Sequence, residues 1–72
     1  MATKYKYYVN TKAQSNGDNE VHKEGCSRMP SKENQKYLGE FESCVGAVAE
    51  AKKTYPKTAN GCYYCSNACH TT

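Results

Sequence analysis

Alternating side chains open the chain and predict a first β-strand. From Lys4 to Val9, lysine and tyrosine alternate before the run reaches valine. Successive side chains of a strand point to opposite faces, and aromatic and β-branched residues favour strands. We expect one face to carry Tyr5, Tyr7 and Val9 and the other to carry Lys4, Lys6 and Tyr8.

A polar segment with a turn signal follows, and it predicts a hairpin. The segment from Asn10 to Asn19 contains Asn16-Gly17, a pair whose residues tolerate the positive φ angles of tight turns. The run from Glu20 to Lys23 is then the expected returning strand. A third strand is expected from Tyr37 to Phe41, where aromatic and aliphatic residues recur.

One segment has the periodicity of a helix. Ser43 is a favourable N-cap, and apolar residues follow it at intervals of three or four until Tyr55. Pro56 ends the pattern because the residue before a proline is disfavoured in helical geometry. Gly46 costs up to ~1 kcal/mol relative to alanine, which indicates close packing there. The predicted helix runs from about Cys44 to Tyr55, with an apolar stripe of Cys44, Ala47, Val48, Ala51 and Tyr55.

Together these elements predict a single α+β domain over residues 1–72. We expect a small antiparallel sheet of about three strands with one main helix, about residues 44–55, packed on it. The tail from Asn60 to Thr72 is rich in cysteine and small polar residues. We expect it to be an irregular cysteine-rich loop that folds back toward Cys26.

The composition indicates a thin hydrophobic core. Only 38% of the 72 residues are hydrophobic, Leu38 is the single leucine, and isoleucine is absent. A domain of this size buries about 60% of its unfolded surface, so it usually needs disulfides, a metal or a partner chain for stability. The five cysteines are the candidates for this role.

The ends and the hydropathy of the chain bear on the redox state of these cysteines. The sequence begins Met1-Ala2-Thr3-Lys4 without the apolar core of a secretory signal, and no stretch approaches the ~20 apolar residues of a membrane span. We therefore expect a cytoplasmic protein without a membrane partner. Thiols stay reduced there, so close cysteine pairs are more often metal-binding or catalytic than disulfide-bonded.

The cysteines and histidines form two groups with metal-ligand spacing. The first is His22-x3-Cys26, and the second is Cys62-x2-Cys65, followed by Cys69-His70. A Cys-x2-Cys turn places two sulfurs on one side of a loop, where both can reach a tetrahedral ion at ~2.3 Å. We predict a zinc site formed by His22, Cys26, Cys62 and Cys65, with Cys69 or His70 as substitutes for His22.

Other interpretations of the cysteines remain open at this stage. Cys44 lies on the apolar stripe, where a free cysteine behaves as a small hydrophobe, so we leave it out of the site. The Cys62–Cys65 pair is an alternative thiol redox centre, although such pairs belong at a helix N-terminus and this one follows the helix. Disulfides in an exported form are a third interpretation. No acid and base are paired, so no catalytic residues are predicted.

The aromatic and basic residues suggest a second kind of surface. The chain has seven tyrosines, one phenylalanine and a net charge of +3, which is mildly basic. Lys4, Tyr5, Lys6 and Tyr7 can be interpreted as a stacking strip for single-stranded nucleic acid. The interpretation we favour is that tyrosine replaces the missing aliphatic residues in the core.

Short motifs in this chain resemble those of known zinc modules. Three motifs follow one another: Val21-His22-x3-Cys26, then Phe41-x-Ser43 before an alanine-rich helix, then Cys62-x2-Cys65. Together they resemble the modules related to the amino-terminal domain of the Ada methyl-repair protein. Some modules of this kind are appended to bacterial nucleases. The resemblance covers residues 20–66 approximately and implies the ligands His22, Cys26, Cys62 and Cys65. Those modules carry basic residues where this chain has Tyr63-Tyr64, and methyl-accepting activity is not carried over.

The whole chain also resembles a set of short, stand-alone bacterial proteins without an assigned activity. The shared marks are Asn16-Gly17-Asp18, His22-Lys23-Glu24-Gly25-Cys26, Tyr37-Leu38-Gly39 and Cys62-Tyr63-Tyr64-Cys65. The function we expect is that of a zinc-stabilised binding or interaction module with an unidentified protein partner. The alternatives are the redox protein and the nucleic-acid binder described above, and the sequence leaves the oligomeric state open.

Overall fold

The computed structural model describes residues 3–71 as one helix packed on a four-stranded sheet, which confirms the predicted α+β class. Within these residues, no helix is both long and apolar enough to cross a membrane. Two short 3₁₀ turns cover Lys32–Asn34 and Asn67–Cys69. The main elements are β1 (Tyr5–Asn10), β2 (Asn19–Lys23), β3 (Gln35–Phe41), α1 (Cys44–Ala51) and β4 (Ala59–Gly61).

The sheet is mixed and contains one strand more than the sequence predicts. Its order is β3-β1-β2-β4, with β1 antiparallel to β2 and β3, and β4 parallel to β2. The added strand, Ala59-Asn60-Gly61, lacks the β-branched and aromatic residues that mark a strand. Its pairing with β2 therefore depends on long-range contacts. The hydrogen bonding between the two segments continues one residue beyond β4, where the Cys62 amide donates to the carbonyl of Val21 at 3.0 Å.

The helix covers one face of this sheet. Tyr7 and Val9 of β1 and Val21 of β2 are buried with residues of α1, so the face predicted to hold Tyr7 and Val9 is the core face. Ser43 caps the helix by accepting a hydrogen bond from the Val45 amide at 3.3 Å, as predicted. The helix side of the core is formed by Cys44, Ala47 and Ala51.

The helix is shorter than the periodicity predicts. The helix ends at Ala51. The Lys53 and Thr54 amides then donate to carbonyls three residues earlier, the hydrogen-bond pattern of a 3₁₀ turn. Pro56 explains this exit, since it disfavours helical geometry at Tyr55. Tyr55 still packs against the core, so its apolar position in the stripe reflects burial beyond the end of the helix.

The predicted close approach at Gly46 is present. A Cβ atom at this position would lie 2.8 Å from Cδ1 of Phe41, closer than side chains pack. Glycine thus allows α1 to lie against the aromatic ring at the end of β3, and this contact offsets its unfavourable helix propensity.

Candidate metal centre

Strand alternation places His22 on the sheet face opposite the helix. Val21 faces α1 in the core, so the next side chain along β2 points the other way. His22 is nevertheless 0% exposed and is not part of the core cluster. A fully buried imidazole outside the apolar core indicates a separate polar site.

Three cysteine sulfurs converge on this histidine. One ligand atom from each of His22, Cys26, Cys62 and Cys65 lies within 4.8 Å of all the others. The sulfurs of Cys26 and Cys62 are 3.9 Å apart, and the Cys65 sulfur is 3.8 Å from Nδ1 of His22. A tetrahedral zinc site has S···S separations of about 3.8 Å and S···N separations of about 3.6 Å, given its usual bond lengths. The cluster can therefore hold a metal ion, and it contains the four residues predicted from the sequence.

Backbone amides are directed at two of the sulfurs. The Lys23 amide donates to the Cys65 sulfur at 3.3 Å, and the Arg28 amide donates to the Cys26 sulfur at 3.4 Å. The turn at Cys26 is itself closed by its amide, which donates to the carbonyl of Lys23 at 3.1 Å. Donors around the ligand atoms stabilise thiolate charge and orient the sulfurs.

The second cysteine pair lies on a tight turn that leaves β4. The Ser66 amide donates to the carbonyl of Cys62 at 2.9 Å, which curls the segment so that both sulfurs face β2. Cys62 is only 1% exposed, whereas Tyr63 and Tyr64 between the two cysteines are 57% and 64% exposed. The turn therefore directs its sulfurs inward, with Cys62 buried and Cys65 partly buried, and presents its aromatic rings to solvent.

Burial shifts two ionisable groups of the cluster toward their neutral forms. Burial lowers the pKa of His22, so its imidazole is neutral and available as a ligand. Burial also raises the pKa of the Cys65 thiol to about 12, and a hydrogen bond that this thiol donates to the Cys26 sulfur adds to the effect. A thiolate at this position needs a nearby positive charge, which a coordinated metal supplies.

The same properties argue against a redox role for Cys62 and Cys65. Reactive thiols have a lowered pKa and are partly exposed, often at a helix N-terminus. Here Cys62 is buried, the pKa of Cys65 is raised, and the element that follows is the short 3₁₀ turn Asn67–Cys69.

The structure corrects the predictions made for Cys44 and Cys69. These two residues form a disulfide, so Cys44 is not a free core cysteine and Cys69 is not available as a substitute ligand. The 3₁₀ turn that contains Cys69 lies against α1, on the opposite side of the sheet from His22. This disulfide was not predicted because the sequence analysis expects a compartment in which thiols stay reduced.

His70, the other proposed substitute, lies away from the four ligand atoms. Its Nδ1 donates to the carbonyl of Gly61 at 3.0 Å. Its ring packs edge-on against Tyr63, with the ring centres 5.5 Å apart. This placement gives His70 a role in holding the tail against β4.

The predicted stacking strip is only partly exposed. Tyr7 is 3% exposed and packs edge-on against Phe41, so it belongs to the core and cannot stack on a base. The Nζ of Lys23 lies 4.4 Å above the ring of Tyr5. Lys4 and Lys6 are exposed as expected. The strip proposed from Lys4, Tyr5, Lys6 and Tyr7 therefore loses one of its two aromatic rings.

Sequence reasoning did not single out Glu20 as part of the site. Its Oε1 lies 3.8 Å from Nε2 of His22, on the side of the ring away from the sulfurs. Two residues apart on one strand, these side chains share a face. The Glu-x-His spacing was therefore the available signal, although it is common in strands without a metal.

Replacing Gly61 with alanine is expected to destabilise the fold by about 2 kcal/mol or more, the usual cost of overpacking. The new Cβ would lie 2.7 Å from Cβ of Cys69, 2.7 Å from the carbonyl oxygen of Ser66 and 2.9 Å from the backbone carbon of Cys69. Backbone atoms cannot move aside without displacing the tail. The measurement is the urea midpoint at unchanged m-value.

Gly46→Ala is the matched control for this substitution. It meets a single aromatic side chain at a similar distance, and alanine returns up to ~1 kcal/mol of helix propensity. We therefore expect the smaller loss at Gly46. Equal losses, or a larger one at Gly46, would contradict the tight docking of the tail on β4.

Comparisons of the chain with protein-family models, with characterised proteins and with solved structures found no match. The resemblance to the Ada-related modules stays a prediction, and the interpretation of this site depends on its own geometry and chemistry.

Proposed function

We propose that the chain is a small binding module whose fold is stabilised by one zinc ion held by His22, Cys26, Cys62 and Cys65. The observation that carries this proposal is the convergence of one imidazole nitrogen and three sulfurs within 4.8 Å. Three thiolates and an imidazole form the soft donor set typical of structural zinc sites.

A structural role fits this donor set better than a catalytic one. Four protein donors complete the tetrahedral coordination of zinc and leave no position for a reactive water. The ion would join the turn after β2 to the turn after β4, through residues such as Cys26 and Cys62 that are 36 positions apart. Such a link adds folding free energy to a domain with a thin core.

The exposed surface beside the cluster supports a role in binding another protein. Tyr63 and Tyr64 are in contact, with ring centres 5.3 Å apart, and the guanidinium of Arg28 lies 4.3 Å from the centre of the Tyr64 ring. Tyrosine and arginine are enriched in protein interfaces. A metal that fixed the sulfurs on both sides of the two tyrosines would also hold these rings in place.

The disulfide bears on the cellular compartment of the protein. A structural disulfide such as Cys44–Cys69 is typical of oxidising compartments, which argues against the cytoplasmic location predicted from the sequence. Metal coordination would protect the other three thiols from oxidation, so both kinds of cross-link can occur in one chain.

X-ray absorption of the zinc-loaded protein tests the proposed coordination. We expect three Zn–S distances near ~2.3 Å and one Zn–N distance near ~2.0 Å. Replacing His70 with alanine should leave this donor set unchanged, whereas replacing His22 should exchange the nitrogen ligand for a light atom from solvent. A solvent oxygen in the first shell of the wild-type protein would instead indicate an open site, and a donor set altered only by the His70 substitution would contradict the assignment of His22.

A further inference from the structure

The ring of His22 has one nitrogen without a hydrogen-bond partner. Its Nε2 atom is buried, and within residues 3–71 nothing accepts from it or donates to it at hydrogen-bond distance. An unpaired buried polar group of this kind is unfavourable, because it has lost its hydrogen bonds to water without gaining a partner. The nearest acidic group is the carboxylate of Glu20, with Oε1 at 3.8 Å from Nε2.

The Glu20 carboxylate is held at this end of the ring by its surroundings. Glu20 and His22 project from the same face of β2, so the carboxylate lies beside the ring rather than across the sheet. Its Oε1 also accepts a hydrogen bond from Nε2 of Gln14 at 3.2 Å, and the side chain is partly buried. The two ring nitrogens of His22 thus face different partners: Nδ1 faces the sulfurs and Nε2 faces a carboxylate.

We propose that Glu20 is a positioning residue for the metal centre. Its carboxylate accepts the Nε2–H of His22 and thereby selects the tautomer whose Nδ1 lone pair points at the Cys65 sulfur. Neutral imidazole carries one N–H, so a proton on Nε2 leaves Nδ1 free to coordinate. The other tautomer would place its N–H toward the sulfurs and block coordination.

The distance between the two groups is compatible with this role. A charge-assisted N–H···O bond has a length of about 2.7–2.9 Å, so a shift of about 1 Å by the carboxylate completes it. Carboxylates that accept from a metal-bound histidine orient the ring and raise its basicity, and their removal lowers metal affinity about 10- to 100-fold. The inference rests on the zinc site proposed above and assigns a role to a residue outside the four ligands.

Zinc affinity measured by competition with a chromophoric chelator tests the proposal. We expect Glu20→Ala to weaken zinc binding about 10- to 100-fold. Glu20→Gln should lose less, since its amide oxygen can still accept from Nε2–H. Glu40→Ala removes an exposed glutamate from another strand and should bind zinc as the wild type does.

Nitrogen NMR of the His22 ring separates positioning from a general loss of stability. In the zinc-loaded wild-type protein we expect a coordinated Nδ1 and a protonated Nε2 whose N–H exchanges slowly with water. The zinc-saturated Glu20→Ala protein should keep a folded amide spectrum, while its Nε2–H signal moves and exchanges faster because the carboxylate acceptor is gone. Coordination through Nε2, or unchanged affinity together with an unchanged Nε2–H signal in Glu20→Ala, would overturn the role of Glu20 alone. A wild-type protein that takes up no zinc would overturn both this role and the proposed function.

Discussion

Replacing Cys62 with serine is expected to abolish tight zinc binding and to unfold the chain. The Cys62 sulfur is 3.9 Å from that of Cys26, and the residue is 1% exposed, so serine would bury a hydroxyl where the cluster supplies a thiolate. A structural zinc contributes about 10–16 kcal/mol at neutral pH, more than a domain of this size has in reserve. Loss of zinc from the native mass spectrum and collapse of amide dispersion in NMR spectra would show this result.

Tyr63→Ala is the control for the substitution at Cys62. It removes a large side chain from the neighbouring position, but that side chain is mostly exposed and provides no ligand atom. We expect this variant to keep one zinc per chain and a folded spectrum. If Cys62→Ser also kept both, the cysteine cluster would not be a metal site that stabilises the fold.

The second large effect is expected when the disulfide is removed. Cys44 and Cys69 are 25 positions apart, and closing a loop of this length in the unfolded chain contributes about 3.5 kcal/mol in the chain-entropy description. We expect the free energy of unfolding of a Cys44→Ala/Cys69→Ala double variant, measured in urea, to be lower than that of the wild type by roughly this amount. Its zinc content should remain at one per chain, because neither sulfur belongs to the cluster around His22.

Alkylation of the denatured protein provides the chemical control. Without reductant and with zinc removed, three thiols should react, and after reduction all five should react. Five reactive thiols before reduction would contradict the disulfide. An unchanged urea midpoint in the double variant would contradict its contribution to stability.

Local signals explain why much of the fold could be predicted from the sequence. Alternation around Tyr7, the Asn16-Gly17 turn and the Ser43 cap each depend on neighbouring residues, and the first three strands and the start of the helix follow from them. β4 could not be predicted because Ala59-Asn60-Gly61 becomes a strand only through pairing with β2. The end of the helix was placed too late because burial of Tyr55 imitates helical periodicity.

The candidate site shows the same division between local and long-range information. The spacing of His22 and Cys26, and of Cys62 and Cys65, indicated which residues could meet, and the structure brings all four together. Spacing could not decide whether His22, Cys69 or His70 is the fourth ligand. That choice depends on the side of the sheet on which each of these side chains lies. The tail carries Cys69 to the helix, where it pairs with Cys44.

Metal content is the most direct test of the central claim that the cluster holds a structural zinc. Native mass spectrometry of the protein, purified without chelator or reductant, should show one zinc per chain, and a chelator should remove both the zinc and the folded NMR spectrum. A protein that contains no metal and takes up none, yet gives the same well-dispersed spectrum, would contradict the claim. His22 and the three cysteines would then be a buried polar cluster that the fold tolerates without an ion.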